Sequence, residues 1–141
     1  MPLESQPTPV GALPAKLYRA MRKDTDGRPR CGSEGNLLGV RPGVDIHPNA
    51  SGIVSNGHGG LSVTPGDPAK LPPHVRPRSL GGRGNLPVFE ISSEHLGATL
   101  AYRADPKWPD KHGFVEPAQA MTLDGYQGAL AATRPVWREF T

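Results

Sequence analysis

The sequence predicts a single β-rich α+β domain with few helices and long loops. The 141 residues include 18 glycines and 17 prolines, spread through the chain without a period. That is roughly double their ordinary usage. Short apolar runs such as residues 86–91 (LPVFEI) lie between them, which favours a compact domain over a disordered chain. A chain of this length can bury one core without a metal or a disulfide.

The expected elements are short strands separated by turns. Residues 1–15 form a proline-rich polar leader that we expect to be flexible, and residues 16–141 form the domain. The first expected strand covers residues 16–22, where a helical turn is also compatible with the pattern. We expect further strands at residues 53–54, 61–63, 86–91, 99–103 and 114–117, a helical turn at 92–96, and a short element at 37–40.

One helix is expected near the C-terminus. Leu123, Tyr126 and Leu130 follow helical spacing within residues 122–133, and Arg134-Pro135 would end the helix. Trp137 and Phe140 are then expected to cover an edge of the core.

Charge and cysteine content exclude several classes of protein. A net charge of +3 is mild, and the one basic cluster lies in a Gly/Pro loop at Arg76, Arg78 and Arg83. The single cysteine, Cys31, excludes an internal disulfide. Neither a signal-peptide pattern nor a membrane-length apolar run is present. We expect a protein made in the cytoplasm that does not insert into membranes, while export without a cleavable signal stays open.

Common catalytic motifs are missing from the sequence. The five histidines form no HExxH or paired His/Cys pattern, so no metal is expected. The segment GGLSV at residues 59–63 lacks the second glycine of a GxSxG nucleophile elbow, and neither a P-loop nor GxGxxG occurs.

Three polar features remain as candidates for a site. The glycine run delivers Ser62 into a short strand, although such turns are also common as plain structure. Arg19 lies among apolar neighbours, either extending to solvent from a strand face or fixed as a guanidinium for a phosphate or ribose hydroxyl. A late strand carries His112 and Glu116. The alternative interpretations are that His112 is only a turn residue and that Glu116 is an ordinary surface carboxylate.

Four segments in this order resemble a known family of toxins. They are LYRA (17–20), an Asp-Ile pair (45–46) ahead of GGLSV (59–63), LAYRAD (100–105), and HGFVEPAQAM (112–121). Their order and spacing resemble the small type VI secretion exported toxins of the Tse-two family, whose fold is like that of mono-ADP-ribosyltransferase toxins. The family has Thr-Ser where this chain has Leu61-Ser62, so only Ser62 carries over.

The resemblance implies two small bent sheets around a cleft that holds NAD as a substrate. It implies a mono-ADP-ribosyltransferase or an NAD glycohydrolase that breaks the nicotinamide N-glycosidic bond through an oxocarbenium-like transition state. Arg19 would hold a phosphate or ribose hydroxyl, Ser62 would orient the site, and His112 would bind a ribose or phosphate group. Glu116 is our own assignment for the carboxylate that stabilises the ribose cation. The remaining expected NAD contacts are Tyr18, Gly60 and Tyr102. Tyr18 or Tyr102 could stack on nicotinamide, and the alternative for each is a place in the core.

The resemblance also implies partners. It suggests a growth-inhibiting effector, monomeric when free, that acts on an unidentified acceptor macromolecule and is neutralised by a cognate immunity or antitoxin protein. The alternative is a non-catalytic or nucleic-acid-directed module that uses Arg76, Arg78 and Arg83, whose binding would weaken steeply with salt.

Overall fold

The computed structural model describes residues 15–141, in which long loops connect short antiparallel strands and a single α-helix. The strands are Lys16–Ala20 (β1), Ile53–Val54 (β2), Leu61–Pro65 (β3), Val88–Ser92 (β4), Leu100–Ala104 (β5), Gly113–Pro117 (β6), Met121–Thr122 (β7) and Arg138–Glu139 (β8). The helix, α1, is Leu123–Ala132. The expected β-rich α+β class with few helices is therefore confirmed.

The larger sheet consists of two halves that meet at β3. Its strand order is β5-β6-β3-β1-β4-β8, and all its pairings are antiparallel. Leu61, Ser62 and Val63 pair with β6, whereas only Thr64 and Pro65 pair with β1. A separate ribbon joins β2 to β7. The halves thus share one strand, and that strand carries Ser62.

The main core lies against one face of this sheet. Its most enclosed side chains are Leu17, Met21, Leu38, Val40, Ile46, Val54, Leu61, Phe89, Ile91, Tyr126, Leu130 and Trp137. A smaller cluster on the opposite face contains Tyr18, Ala20, Leu71 and Val88. The loop that follows β3 supplies Leu71, so it covers the half of the sheet near β1.

Most of the expected elements are confirmed, including the helix. Thr122 caps α1 by accepting a hydrogen bond from the Gly125 amide at 3.0 Å. Residues 37–40 form no strand, although Leu38 and Val40 are buried. Trp137 was expected to cover an edge of the core. It is instead only 1% exposed and lies within the main core. Among residues 15–141, the structure contains no helix whose length and apolarity would let it cross a membrane.

The structure describes one residue of the expected leader, Ala15. Residues 1–14 of the leader lie outside the described residues. The Ala15 amide donates to the Ser93 hydroxyl at 2.8 Å, and its carbonyl accepts from the Ser93 amide at 2.8 Å. These two bonds fix the start of β1.

Candidate functional site

An arginine side chain fills the gap where β1 and β3 separate. Backbone pairing between the two strands ends after Tyr18 and Thr64. Beyond that point Arg19 Nη1 donates to the Ser62 carbonyl at 3.0 Å, and Nη2 donates to the carbonyls of Gly35 and Leu37 at 2.9 Å each. The planar guanidinium can reach three carbonyls at once because its donors point outward in one plane.

Arg19 is a buried cation that pairs with no carboxylate in the part of the chain that the structure describes. Its residue is 9% exposed, so the expectation that it extends to solvent is wrong. No salt bridge to it occurs among the described residues. Burial lowers the pKa of Arg19 to about 10, with Asp45 acting in the opposite direction; the side chain still carries its charge at neutral pH. Its Nε is buried and has no hydrogen-bond partner within residues 15–141, and leaving such a group unpaired costs free energy of folding.

A cavity of about 240 Å³ opens beside this guanidinium. It is lined by Tyr18, Arg19, Ala20, Gly35, Arg41, Asp45, Ser62, Val63, Thr64, Leu71, Pro72, His74, Val75 and His112. Ser62 lies opposite Phe114 of β6, and His112 follows the same alternation two residues earlier. The structure therefore brings together three of the four expected catalytic residues, Arg19, Ser62 and His112.

The glycine run lets the loop that carries Asp45 approach β3 closely. The Gly60 amide donates to the Asp45 carbonyl at 2.8 Å. A Cβ atom at Gly59 would lie 2.3 Å from the Asp45 carbonyl oxygen, and one at Gly60 would lie 2.6 Å from that of Val115. Asp45 Oδ1 in turn accepts a hydrogen bond from Arg41 Nη2 at 2.9 Å, and both residues line the cavity. Gly60 thus lets two backbone segments pack closely. Its amide is already hydrogen-bonded to Asp45, so it is not free for the expected contact with NAD.

His112 is oriented by a carboxylate that sequence reasoning missed. Its Nδ1 lies 2.8 Å from Asp105 Oδ2, and its ring meets the edge of Phe114 at a centroid distance of 4.8 Å. With Nδ1 occupied, Nε2 is the nitrogen left for a ligand. Asp105 closes the β5–β6 hairpin, since its amide donates to the His112 carbonyl at 3.0 Å. An acidic residue at a hairpin base is the signal that could have identified it.

The Asp105–His112 contact predicts a stability difference that depends on pH. The hydrogen bond from His112, followed by that from the Lys107 amide, lowers the pKa of Asp105. The native state therefore binds this proton less readily than the unfolded state, so the contribution exists above about pH 4 and disappears as the pH falls through the lowered pKa. We expect Asp105→Asn to be less stable than wild type at pH 7, and the difference to shrink in urea unfolding at pH 3 and below.

Asp110→Asn provides the matched control for this measurement. Asp110 is exposed in the same loop and makes no hydrogen bond within residues 15–141. Its variant should unfold like wild type at both pH values. A difference for Asp105→Asn that stayed constant with pH would contradict the assigned role of the carboxylate.

Glu116 is buried and ion-paired outside the cavity lining. Its Oε1 accepts from Arg103 Nε at 2.9 Å and from the Gly57 amide at 2.9 Å, and the residue is 6% exposed. Its interpretation as an ordinary surface carboxylate is therefore wrong. It lies on the Ser62 side of the sheet, two residues beyond Phe114. Arg103 would have to turn away before Glu116 could face a ribose cation.

The two candidate tyrosines lie on opposite faces of the sheet. Tyr18 forms part of the cavity wall and meets the edge of Phe140 at a centroid distance of 5.8 Å. Tyr102 pairs with Val115 and packs against the main core, where its buried hydroxyl has no hydrogen-bond partner among the described residues. The structure thus places Tyr18 at the cavity and Tyr102 away from it.

Tyr126 is the supporting residue whose role the sequence did not reveal. Its hydroxyl accepts from the Leu61 amide at 3.1 Å and donates to the Val115 carbonyl. Burial raises its pKa well above the usual value, so the hydroxyl keeps its proton. It links β3 to β6 immediately beside Ser62.

The basic loop is only partly available to a partner. Arg76 Nη1 donates to the Ala69 carbonyl at 3.0 Å within the loop, and the residue is half-buried. Arg78 and Arg83 are exposed. The alternative that uses all three cations on nucleic acid thereby loses one of them.

No group of three His, Cys, Asp or Glu side chains within residues 15–141 is arranged to hold a metal ion. Comparison of the chain with protein-family models, with curated proteins and with solved structures finds no match.

Proposed function

We propose that this protein is a toxin that cleaves NAD, either as a mono-ADP-ribosyltransferase or as an NAD glycohydrolase. The observation that carries the proposal is the buried Arg19 cation, which lines a cavity together with Ser62 and His112 and whose Nε has no hydrogen-bond partner within residues 15–141. An anionic or hydroxyl-rich ligand would supply the partner that this cation lacks. The order of the motifs along the chain supports the same conclusion.

In this proposal the N-glycosidic bond breaks heterolytically. Its electron pair leaves with nicotinamide, and a carboxylate would stabilise the positive charge that develops on the ribose. Glu116 would take this role once Arg103 had turned away from it. Ser62 would hold the substrate through its hydroxyl. His112, aligned by Asp105, would take the proton from water or from an acceptor hydroxyl as that oxygen attacks the ribose carbon.

The remaining parts of the proposal concern partners. The acceptor is a macromolecule of the target cell, unless water takes its place. A cognate immunity protein would protect the producing cell by covering the cavity, whose lining includes the exposed His74.

Ser62→Ala tests the proposal with little structural disturbance. The backbone carbonyl that Arg19 binds is retained, and only the cavity-facing hydroxyl is removed. A hydrogen bond to a charged or developing charged group is worth enough that NAD cleavage should fall about 10- to 100-fold. The measurement is NAD consumption by the purified chain, together with growth and intracellular NAD after induced expression in a bacterium.

Ser79→Ala is the matched control, because Ser79 is exposed and lies outside the cavity lining. It should cleave NAD and arrest growth like wild type. If wild type neither consumes NAD nor arrests growth, the proposal is wrong. If Ser62→Ala is as active as Ser79→Ala, the cavity is not the site.

A further inference from the structure

A second, larger groove adjoins the cavity on the other side of His112. Its volume is about 690 Å³, and it shares Leu71, Pro72 and His112 with the cavity. The cavity itself, at about 240 Å³, is smaller than the roughly 300–1,000 Å³ of ordinary small-molecule sites. A dinucleotide would therefore have to extend beyond it, and the shared residues mark the direction.

The groove presents a large aromatic side chain to solvent. Trp108 is 50% exposed, which is unusual for this residue type. Its loop is held by backbone bonds: the Trp108 amide donates to the Asp105 carbonyl at 3.1 Å, and the His112 amide donates to the Trp108 carbonyl at 2.9 Å. The indole is thus mounted on the same turn that orients His112.

Cationic side chains surround the indole. The ammonium groups of Lys107 and Lys111 lie 5.9 and 5.5 Å from its ring centroid, and Lys70 also lines the groove. Stacking of a nucleobase on an aromatic side chain strengthens binding by about 5- to 150-fold. An exposed cation–π contact strengthens an interaction by only about 2- to 5-fold. A base can therefore displace a lysine from the ring, and the displaced ammonium group can then pair with a phosphate.

We propose that this groove binds the ADP half of NAD, with adenine on Trp108 and the diphosphate beside Lys70 and Lys111. Asp110, which also lines the groove, is available to a ribose hydroxyl. The inference deepens the proposed function and rests on it for the nicotinamide half. Binding of free ADP depends on the groove alone.

Tryptophan fluorescence and calorimetry test the inference directly. The chain has two tryptophans, and Trp137 is 1% exposed in the core, so a ligand in the groove should quench Trp108. We expect ADP to quench the fluorescence of the intact protein. In calorimetry Trp108→Ala should weaken ADP and NAD binding by about 10-fold or more, while nicotinamide mononucleotide binding should not change. Val44→Ala, at another exposed apolar residue outside the groove, should bind all three ligands like wild type.

The outcomes separate the groove from the proposed function. ADP binding that Trp108→Ala weakens supports the groove, even if the protein never cleaves NAD. NAD cleavage with equal NAD affinity in wild type and Trp108→Ala overturns the groove and leaves the proposed function standing. Absence of ADP binding to wild type likewise overturns the inference.

Discussion

Arg19→Lys is expected to lower NAD cleavage by about 100-fold or more and to destabilise the fold by about 2–4 kcal/mol. Lysine keeps the positive charge but offers it as a point, so it can bind only one or two of the carbonyls of Ser62, Gly35 and Leu37. The carbonyls left without a donor lie at the gap between β1 and β3. Denaturant unfolding and NAD consumption by the purified variant would measure the two effects.

Arg22→Lys is the control for this substitution. Arg22 lies three residues away, is exposed, and its guanidinium makes no hydrogen bond within residues 15–141. Its variant should differ from wild type by less than about 0.5 kcal/mol. Equal unfolding midpoints for Arg19→Lys and wild type would show that the guanidinium does not hold the gap. Equal NAD cleavage would show that it does not serve the substrate.

The strands most accessible to sequence reasoning are those with short apolar runs bounded by glycine and proline. Val88–Ser92 and Gly113–Pro117 were expected within two residues of their observed bounds. Met121–Thr122 and Arg138–Glu139 were not expected, because neither has the pair of β-branched apolar residues that marks Ile53–Val54 as a strand. Their pairing is determined by the strands beside them, which is tertiary information.

In the site, too, local sequence motifs could be predicted, whereas contacts that depend on the fold were harder to predict. Arg19 and Ser62 are 43 residues apart, yet both motifs could be recognised along the chain. The partners that fix candidate residues were harder to recognise. Asp105 is signalled only by its acidic side chain at the base of a hairpin, and the pairing of Arg103 with Glu116 depends on the register of β5 against β6. Which face of the sheet Tyr102 occupies depends on its register against β6, and a shift by one residue would have reversed it.

Tyr126→Phe is expected to destabilise the protein by about 2–4 kcal/mol, because two buried backbone groups lose their partner. The missing hydroxyl leaves the Leu61 amide without an acceptor and the Val115 carbonyl without a donor. The ring itself should still fit, since phenylalanine differs only by that oxygen. Denaturant unfolding would measure the loss, and hydrogen exchange at the Leu61 amide should accelerate relative to wild type.

Tyr102→Phe removes the same atom from a half-buried tyrosine whose hydroxyl is buried, and it is therefore a close control. The Tyr102 hydroxyl has no hydrogen-bond partner within residues 15–141, so its removal should leave stability unchanged or raise it by up to about 1 kcal/mol. Equal losses in the two variants would contradict a specific bridge between β3 and β6. A loss confined to Tyr126→Phe, with lower NAD cleavage, would show that the helix holds Ser62 in place through this hydroxyl.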